Sequence, residues 1–204
     1  VKQLKQQIET TQEELERMTE ETVKQETRAI NPNDRQSERE IGMVGSGMVG
    51  GVYFRWGRLN IGEARSTPVI QSVKDLRTAP PLDTVIIDAP PGVACPAVEA
   101  LRDADFAVLV TEPTPFGLHD LVLAVQTARQ MSIPCGVVIN RVGIGDERVD
   151  DYCAAENVPV LLRIPDDRRI AEACSRGEIF AAGDASFTST LRALASDLRT
   201  RTHE

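Results

Sequence analysis

From about residue 84 onward, short apolar runs alternate with segments in which apolar positions recur every three or four residues. The runs over 84–88, 106–111, 136–140 and 158–164 show no polar alternation, which predicts strands buried on both faces. The segments between them, 96–104, 116–131 and 147–156, predict helices, and 166–176 and 186–201 predict two more. In the last helix Leu191, Leu194, Ala195 and Leu198 share one stripe. Strand and helix in alternation call for right-handed βαβ units. The expected fold class is therefore α/β, a mostly parallel sheet flanked by helices.

The first part of the chain has a different texture. Residues 1–29 contain no Gly or Pro and place Val1, Leu4, Ile8, Thr11, Leu15, Met18 and Thr22 at alternating spacings of three and four. This heptad seam predicts an N-terminal helical extension, either a pairing coiled-coil strand or a solvated amphipathic helix. Asn31-Pro32-Asn33-Asp34 breaks it. Residues 41–61 are rich in Gly and carry Val52-Tyr53-Phe54-Arg55-Trp56, which suggests a β-hairpin or meander turning near Gly57. A helix is expected over 67–77, ending before Pro80-Pro81. The expected organisation is an extension and linker over 1–36 and an α/β domain over 37–204. A Val rather than a Met at position 1 leaves open an internal cut, an alternative start codon or a processed end.

Composition narrows the function classes. A net charge of −8 and a pI near 4.9 argue against nucleic acid or an anionic membrane as general partners. No apolar run is long enough to span a bilayer and no signal peptide opens the chain, so a cytoplasmic location is expected. Cys95, Cys135, Cys153 and Cys174 form no C-x-x-C pair, which leaves neither a zinc ribbon nor an iron–sulfur ligand set to read, and buried free thiols are expected. His119 and His203 are too isolated to suggest a metal.

Candidate chemistry gathers where the strands end. A parallel sheet binds ligands at its carboxyl edge. The run Thr84-Val85-Ile86-Ile87 delivers Asp88 there, followed by Ala89-Pro90-Pro91-Gly92. A carboxylate in that position can hold a water on Mg²⁺, which keeps several of its waters. Gly92 would let the backbone approach a terminal phosphate. The other three strands end in Thr111-Glu112-Pro113-Thr114, Asn140-Arg141 and Ile164-Pro165-Asp166-Asp167. The Asn140 amide can donate to and accept from a purine edge, or cap a turn. Pro165 and Asp166 can wall a base or start the next helix, and Glu112 and Thr114 can be the cap of the helix that follows.

With these residues the stretch from about 37 to 180 resembles the carboxyl-terminal two-thirds of MinD/ParA-type P-loop ATPases, specifically the subfamily with an inserted ferredoxin domain. The segments that carry the resemblance are Gly57–Glu63, Asp88-Ala89-Pro90-Pro91-Gly92 through Cys95-Pro96, Val110–Asp120, Val138-Ile139-Asn140-Arg141 and Ile164–Arg168. The resemblance implies ATP and Mg²⁺ as ligands. It makes Asp88 the Walker B acid and Gly92 part of the γ-phosphate switch, and places Asn140, Arg141, Pro165 and Asp166 around the adenine. It also implies a homodimer, or a partner protein completing the sheet.

The departures are as informative. The chain has no G-x-x-x-x-G-K-[ST] loop and none of the clustered cysteines that hold iron–sulfur clusters in that subfamily. Backbone N–H groups and the lysine of such a loop supply most of the stabilisation of the phosphates, so little or no ATP hydrolysis is expected from this chain alone. In these ATPases the Walker A strand lies beside the Walker B strand, so its loss would expose an unpaired apolar edge at Val85-Ile86-Ile87. Two functions follow: the carboxyl-terminal part of an ATP-driven switch coupled to iron–sulfur or redox chemistry, or a non-catalytic interaction module that retains the fold and pairs through residues 1–29. A Rossmann-type redox enzyme lacks a G-x-G-x-x-G after a strand, and no glutaminase Cys–His pair is evident.

Overall fold

The computed structural model describes residues 28–30, 41–49, 51–75 and 82–202, and the chain divides into two compact units, Val1–Ala100 and Leu101–Glu204. The predicted helix over 1–29 lies outside the described residues, apart from its last positions, which instead begin a strand.

In the first unit that strand, Arg28–Ile30 (β1), pairs antiparallel with Gly42–Val49 (β2), which pairs antiparallel with Val52–Leu59 (β3). Opposing Val49 with Val52 puts the hairpin turn at Gly51, with φ 81°, and not near Gly57. Gly57 sits inside β3 because a helix lies against it. A Cβ there would come within 2.6 Å of Val69 and 2.8 Å of Val73. Those valines belong to Thr67–Lys74 (α1), whose Pro68 occupies the first turn, where its missing N–H costs nothing. Val69 joins Ile41 and Val44 in a small core, with Leu59 and Val73 packed on it. Arg55 ties the end of α1 to the sheet, its guanidinium donating to the Ser72 carbonyl at 2.9 Å and to the Asp75 carbonyl. Cys95–Leu101 (α2) runs to the unit boundary.

The second unit is built from Ala107–Thr111 (β4), Pro115–Gln130 (α3), Cys135–Val142 (β5), Arg148–Ala155 (α4) and Val160–Pro165 (β6). Arg168–Ser175 (α5), Phe180–Gly183 (α6) and Ala185–Thr202 (α7) follow. The three strands form a parallel sheet in the order β4-β5-β6. One face of it packs on α3 and α4, with Leu121, Val125, Val137, Ile139, Val149, Cys153 and Val158 as the core. The α/β class is as expected, and these strands and helices lie where the apolar runs and helical spacings put them.

Three helices stop by one device. Ser132 at φ 58°, Asn157 at φ 54° and Gly177 at φ 71° each turn the chain left-handed. The following residue then reaches back, Ile133 N to Ala128 O, Val158 N to Cys153 O and Glu178 N to Ala173 O, each at 2.9 Å. This is the Schellman arrangement, and after α3 and α4 it feeds the chain into the next strand.

Two expectations are corrected. Residues 84–88 are not a strand; the segment pairs with no strand among the described residues, with Val85, Ile86 and Ile87 exposed at 48%, 91% and 40%. Apolar, β-branched composition favours extension, but a strand exists only where a neighbour supplies hydrogen bonds. The thiols are free, as expected, but only Cys153 is buried; Cys135 is intermediate, and Cys95 and Cys174 are exposed.

Candidate functional site

The carboxyl edge of the parallel sheet is where the second unit concentrates polar groups. After β4 the backbone folds back tightly. The Thr111 hydroxyl donates to the Gly117 carbonyl at 2.9 Å, and the Thr114 hydroxyl accepts from Gly117 N at 3.0 Å, capping α3. Gly117 is required sterically, since a Cβ would lie 2.2 Å from the Glu112 carbonyl oxygen.

At the end of β5, Asn140 is half-buried and Arg141 adopts φ 57°. Arg141 is longer and bulkier than the residues that usually tolerate this left-handed region. Its guanidinium reaches both neighbouring strand ends. Nε donates to Asp166 Oδ1 at 3.0 Å beyond β6, and Nη1 lies 3.5 Å from Glu112 Oε1 beyond β4. The Asp166 hydrogen bond, then the negative charge of Glu112, hold the arginine's pKa above its ordinary value. All three side chains are 40% exposed or more, so solvent screens the pairs and their role is to position rather than to stabilise. The Asp166 backbone N donates to the Val142 carbonyl at 3.0 Å, fixing the loop after Pro165.

Between the ends of β4 and β5 lies an open pocket of about 390 Å³, lined among others by Thr111, Glu112, Thr114, Phe116, Asp120 and Asn140. That volume lies within the range of small-molecule sites. The pocket pairs the donor and acceptor of one amide with the ring of Phe116, which is 85% exposed. A planar heterocycle with a hydrogen-bonding edge is the ligand class such a lining suits.

Of the residues picked from the sequence, the structure brings Asn140, Arg141, Pro165 and Asp166 together at this edge. Asp88 and Gly92 lie in the first unit, Asp88 exposed and Gly92 at φ 84° with open space where a Cβ would be. Thr114 is a helix cap. Glu112 is not one; it is the second partner of Arg141, which the register of the folded sheet brings about. Thr111 faces Ile139, so the residues just past each meet at the same edge.

No protein-family model matches the chain. It is 30% identical over 151 residues to an uncharacterized protein of Methanocaldococcus jannaschii, covering 74% of this chain and 53% of that protein. An uncharacterized ATP-binding protein of the same organism is 35% identical over 94 residues, covering 45% of this chain and 36% of that protein. The cytosolic Fe-S cluster assembly factor Nubp1 homolog of Drosophila grimshawi is 29% identical, covering 57% of this chain and 45% of that protein. The chain thus spans about half or less of the length of these relatives. Among solved structures, the MinD cell division protein of Aquifex aeolicus superposes with a TM-score of 0.50 at 19% identity, over 66% of this chain and 59% of that one.

The fold is MinD-like. The inserted ferredoxin domain of the narrower subfamily has no counterpart among these findings. The MinD-like fold invites a test of its expected ligands against the side chains present. Asn140 and its pocket suit a base. Among the described residues no three His, Cys, Asp or Glu side chains gather to hold a metal ion, at Asp88 or elsewhere. An iron–sulfur cluster is likewise without a ligand set in this sequence.

Proposed function

We propose that this chain is the carboxyl-terminal, base-binding part of a MinD-like ATPase, a nucleotide-dependent switch coupled in the whole protein to iron–sulfur or redox chemistry. The observation that carries the reading is the convergence of Asn140, Arg141, Asp166 and Glu112 at the carboxyl edge of a parallel sheet, beside an open pocket. Asn140 would read the purine edge while Arg141, tethered on both sides, keeps the surrounding loops in place. Asp88 and Gly92 are proposed as the Mg²⁺-side acid and the phosphate-sensing turn. No catalytic step is assigned, because the glycine-rich loop and lysine that would hold the phosphates are not in the sequence. A cytoplasmic location, and a homodimer or a partner that completes the sheet, belong to the same reading.

Isothermal calorimetry with ATP and Mg²⁺ tests it. The expected affinity is poorer than about 1 mM, less than about 4 kcal/mol, because base contacts act without the phosphate cradle. A micromolar dissociation constant would refute the half-site. Phosphate release from ATP is expected to stay at the background rate.

A second reading, a non-catalytic interaction module, draws on the exposure of Val85, Ile86 and Ile87, an apolar run of the kind that marks a pairing surface. A stable oligomer that shows no nucleotide-dependent shift in the Asn140 amide would favour it over the first.

A further inference from the structure

Asp166 and Asp167 are consecutive, and each is held by a different arginine. Arg141 reaches Asp166 from the end of β5, its Nε donating to Oδ1 at 3.0 Å. Arg169 reaches Asp167 from within α5, its Nη2 and Nε donating to Oδ2 at 2.6 Å and 3.0 Å. Among the described residues Arg169 is the one cation paired with Asp167. These two acids are all that separates β6 from α5, so the chain keeps their like charges side by side.

Arg169 is itself held from its other side. Its guanidinium lies over the Phe180 ring of α6, 5.8 Å from the centroid, and Phe180 meets Phe187 of α7 edge-on at 5.3 Å. The negative face of an aromatic ring attracts a cation placed over it. Arg169 Nη1 lies 3.9 Å from Asp184 Oδ2, while Asp184 Oδ1 accepts from Phe187 N at 2.8 Å and caps α7. One planar fork thus meets an acid at each edge and a ring at its face, which a lysine ammonium cannot do. The guanidinium is 70% exposed, against 22% and 25% for the two acids. Screening by solvent leaves it little to add to global stability. What it supplies is a fixed counter-charge for Asp167.

We propose that Arg169 is a positioning residue of the base site: by neutralising Asp167 it reserves Arg141 for Asp166, and so fixes the sheet edge at which Asn140 meets its ligand. Arg141 is the next residue after Asn140, and its pair with Asp166 joins the ends of β5 and β6. Without Arg169 the carboxylate beside Asp166 has no cation of its own and draws Arg141 away from its partner. The Phe180 stack and Asp184 keep Arg169 from following Asp167 when the loop moves. This deepens the proposed function and rests on that reading for the ligand, while the ion pairs stand without it.

NMR on the full chain tests it through the Arg141 Nε–H, whose exchange with water reports its bond to Asp166. In Arg169→Ala that proton should exchange about fivefold faster or more, while the buried core amides of Val137 and Ile139 keep their protection. Adding Asp167→Asn removes the competing charge and leaves a side chain that can still cap α5, so the double variant should return to the wild-type rate. Arg169→Lys, which keeps a charge near Asp167 but not the fork, should fall between wild type and Arg169→Ala. Adenosine supplies the ligand arm, since it carries no phosphate. The concentration that half-saturates the Asn140 side-chain shift should rise about threefold or more in Arg169→Ala and recover in the double variant. Three results would overturn the proposal: an Arg141 Nε–H unmoved by Arg169→Ala, one loosened and not restored by Asp167→Asn, or loss of Val137 and Ile139 protection in step with it. Adenosine that leaves Asn140 unshifted in the wild type overturns the base reading instead, because the Arg141 measurement contains no ligand.

Discussion

Arg141 Nε and Asp166 Oδ1 lie 3.0 Å apart, joining the ends of two adjacent parallel strands through a residue held at φ 57°. The pair is exposed, so its value lies in fixing two loops and not in a large Coulomb term. The backbone at Arg141 is the more costly feature, because a left-handed conformation brings Cβ close to the following carbonyl.

Substitution at this position should therefore follow backbone tolerance before charge. Arg141→Gly is expected to unfold at a urea midpoint equal to or above that of the wild type. Arg141→Val, β-branched and without the ion pairs, should fall below Arg141→Ala. If Val and Gly were equally stable, the left-handed turn would not be populated in solution.

Gly117→Ala tests the fold-back after β4. A methyl group 2.2 Å from the Glu112 carbonyl oxygen forces the backbone apart and weakens the Thr114 cap. The expected loss is about 1–3 kcal/mol by urea denaturation, the usual cost of overpacking. A shift in the Asn140 amide resonance should accompany it, since the same turn walls the pocket.

Ser132→Gly should act in the opposite direction. Ser132 terminates α3 at φ 58°, a conformation glycine adopts without a Cβ penalty. Net of the entropy glycine adds to the unfolded chain, a gain of about 0.5–1 kcal/mol in unfolding free energy is expected.

The acid limb of stability should involve Asp167. The Arg169 side chain, and after it the Arg169 N–H that the carboxylate accepts at 2.8 Å in capping α5, hold it below the usual carboxylate range. A depressed folded-state pKa stabilises above the unfolded value, near 3.9, and that contribution is lost as pH falls through the lower folded value. The deficit of Asp167→Ala relative to wild type should thus be full at pH 7 and shrink below about pH 4. A deficit independent of pH would mean that the cap does not need the charge.

Thiol labelling reads the packing directly. Cys95 and Cys174 should alkylate rapidly at pH 8, while burial raises the Cys153 and Cys135 thiols above their usual range and slows both. Cys153, 2% exposed between α4 and the sheet, should react only on unfolding. Asp88→Ala, by contrast, should change stability by no more than about 0.5 kcal/mol, because the residue is exposed.

Much of the site was legible in the chain because its elements are locally encoded. Val137-Val138-Ile139 must be buried on both faces, so Asn140 has to emerge at the carboxyl edge, and Leu121, Val125 and Ala128 at helical spacing place α3 against the sheet. What sequence alone determined is therefore the strand–helix rhythm from β4 to α5, and which polar residues lie at its carboxyl edge. The tertiary structure decided the rest. It chose Gly51 over Gly57 for the hairpin turn, because Val69 and Val73 close over Gly57. It made Glu112 a partner of Arg141 instead of a helix cap, because the register of β4 and β5 sets their ends side by side. And it left Thr84–Asp88 exposed and outside any sheet of the described residues, since apolar side chains can make a segment suited to a sheet, but only a neighbouring strand that bonds to it can make it part of one.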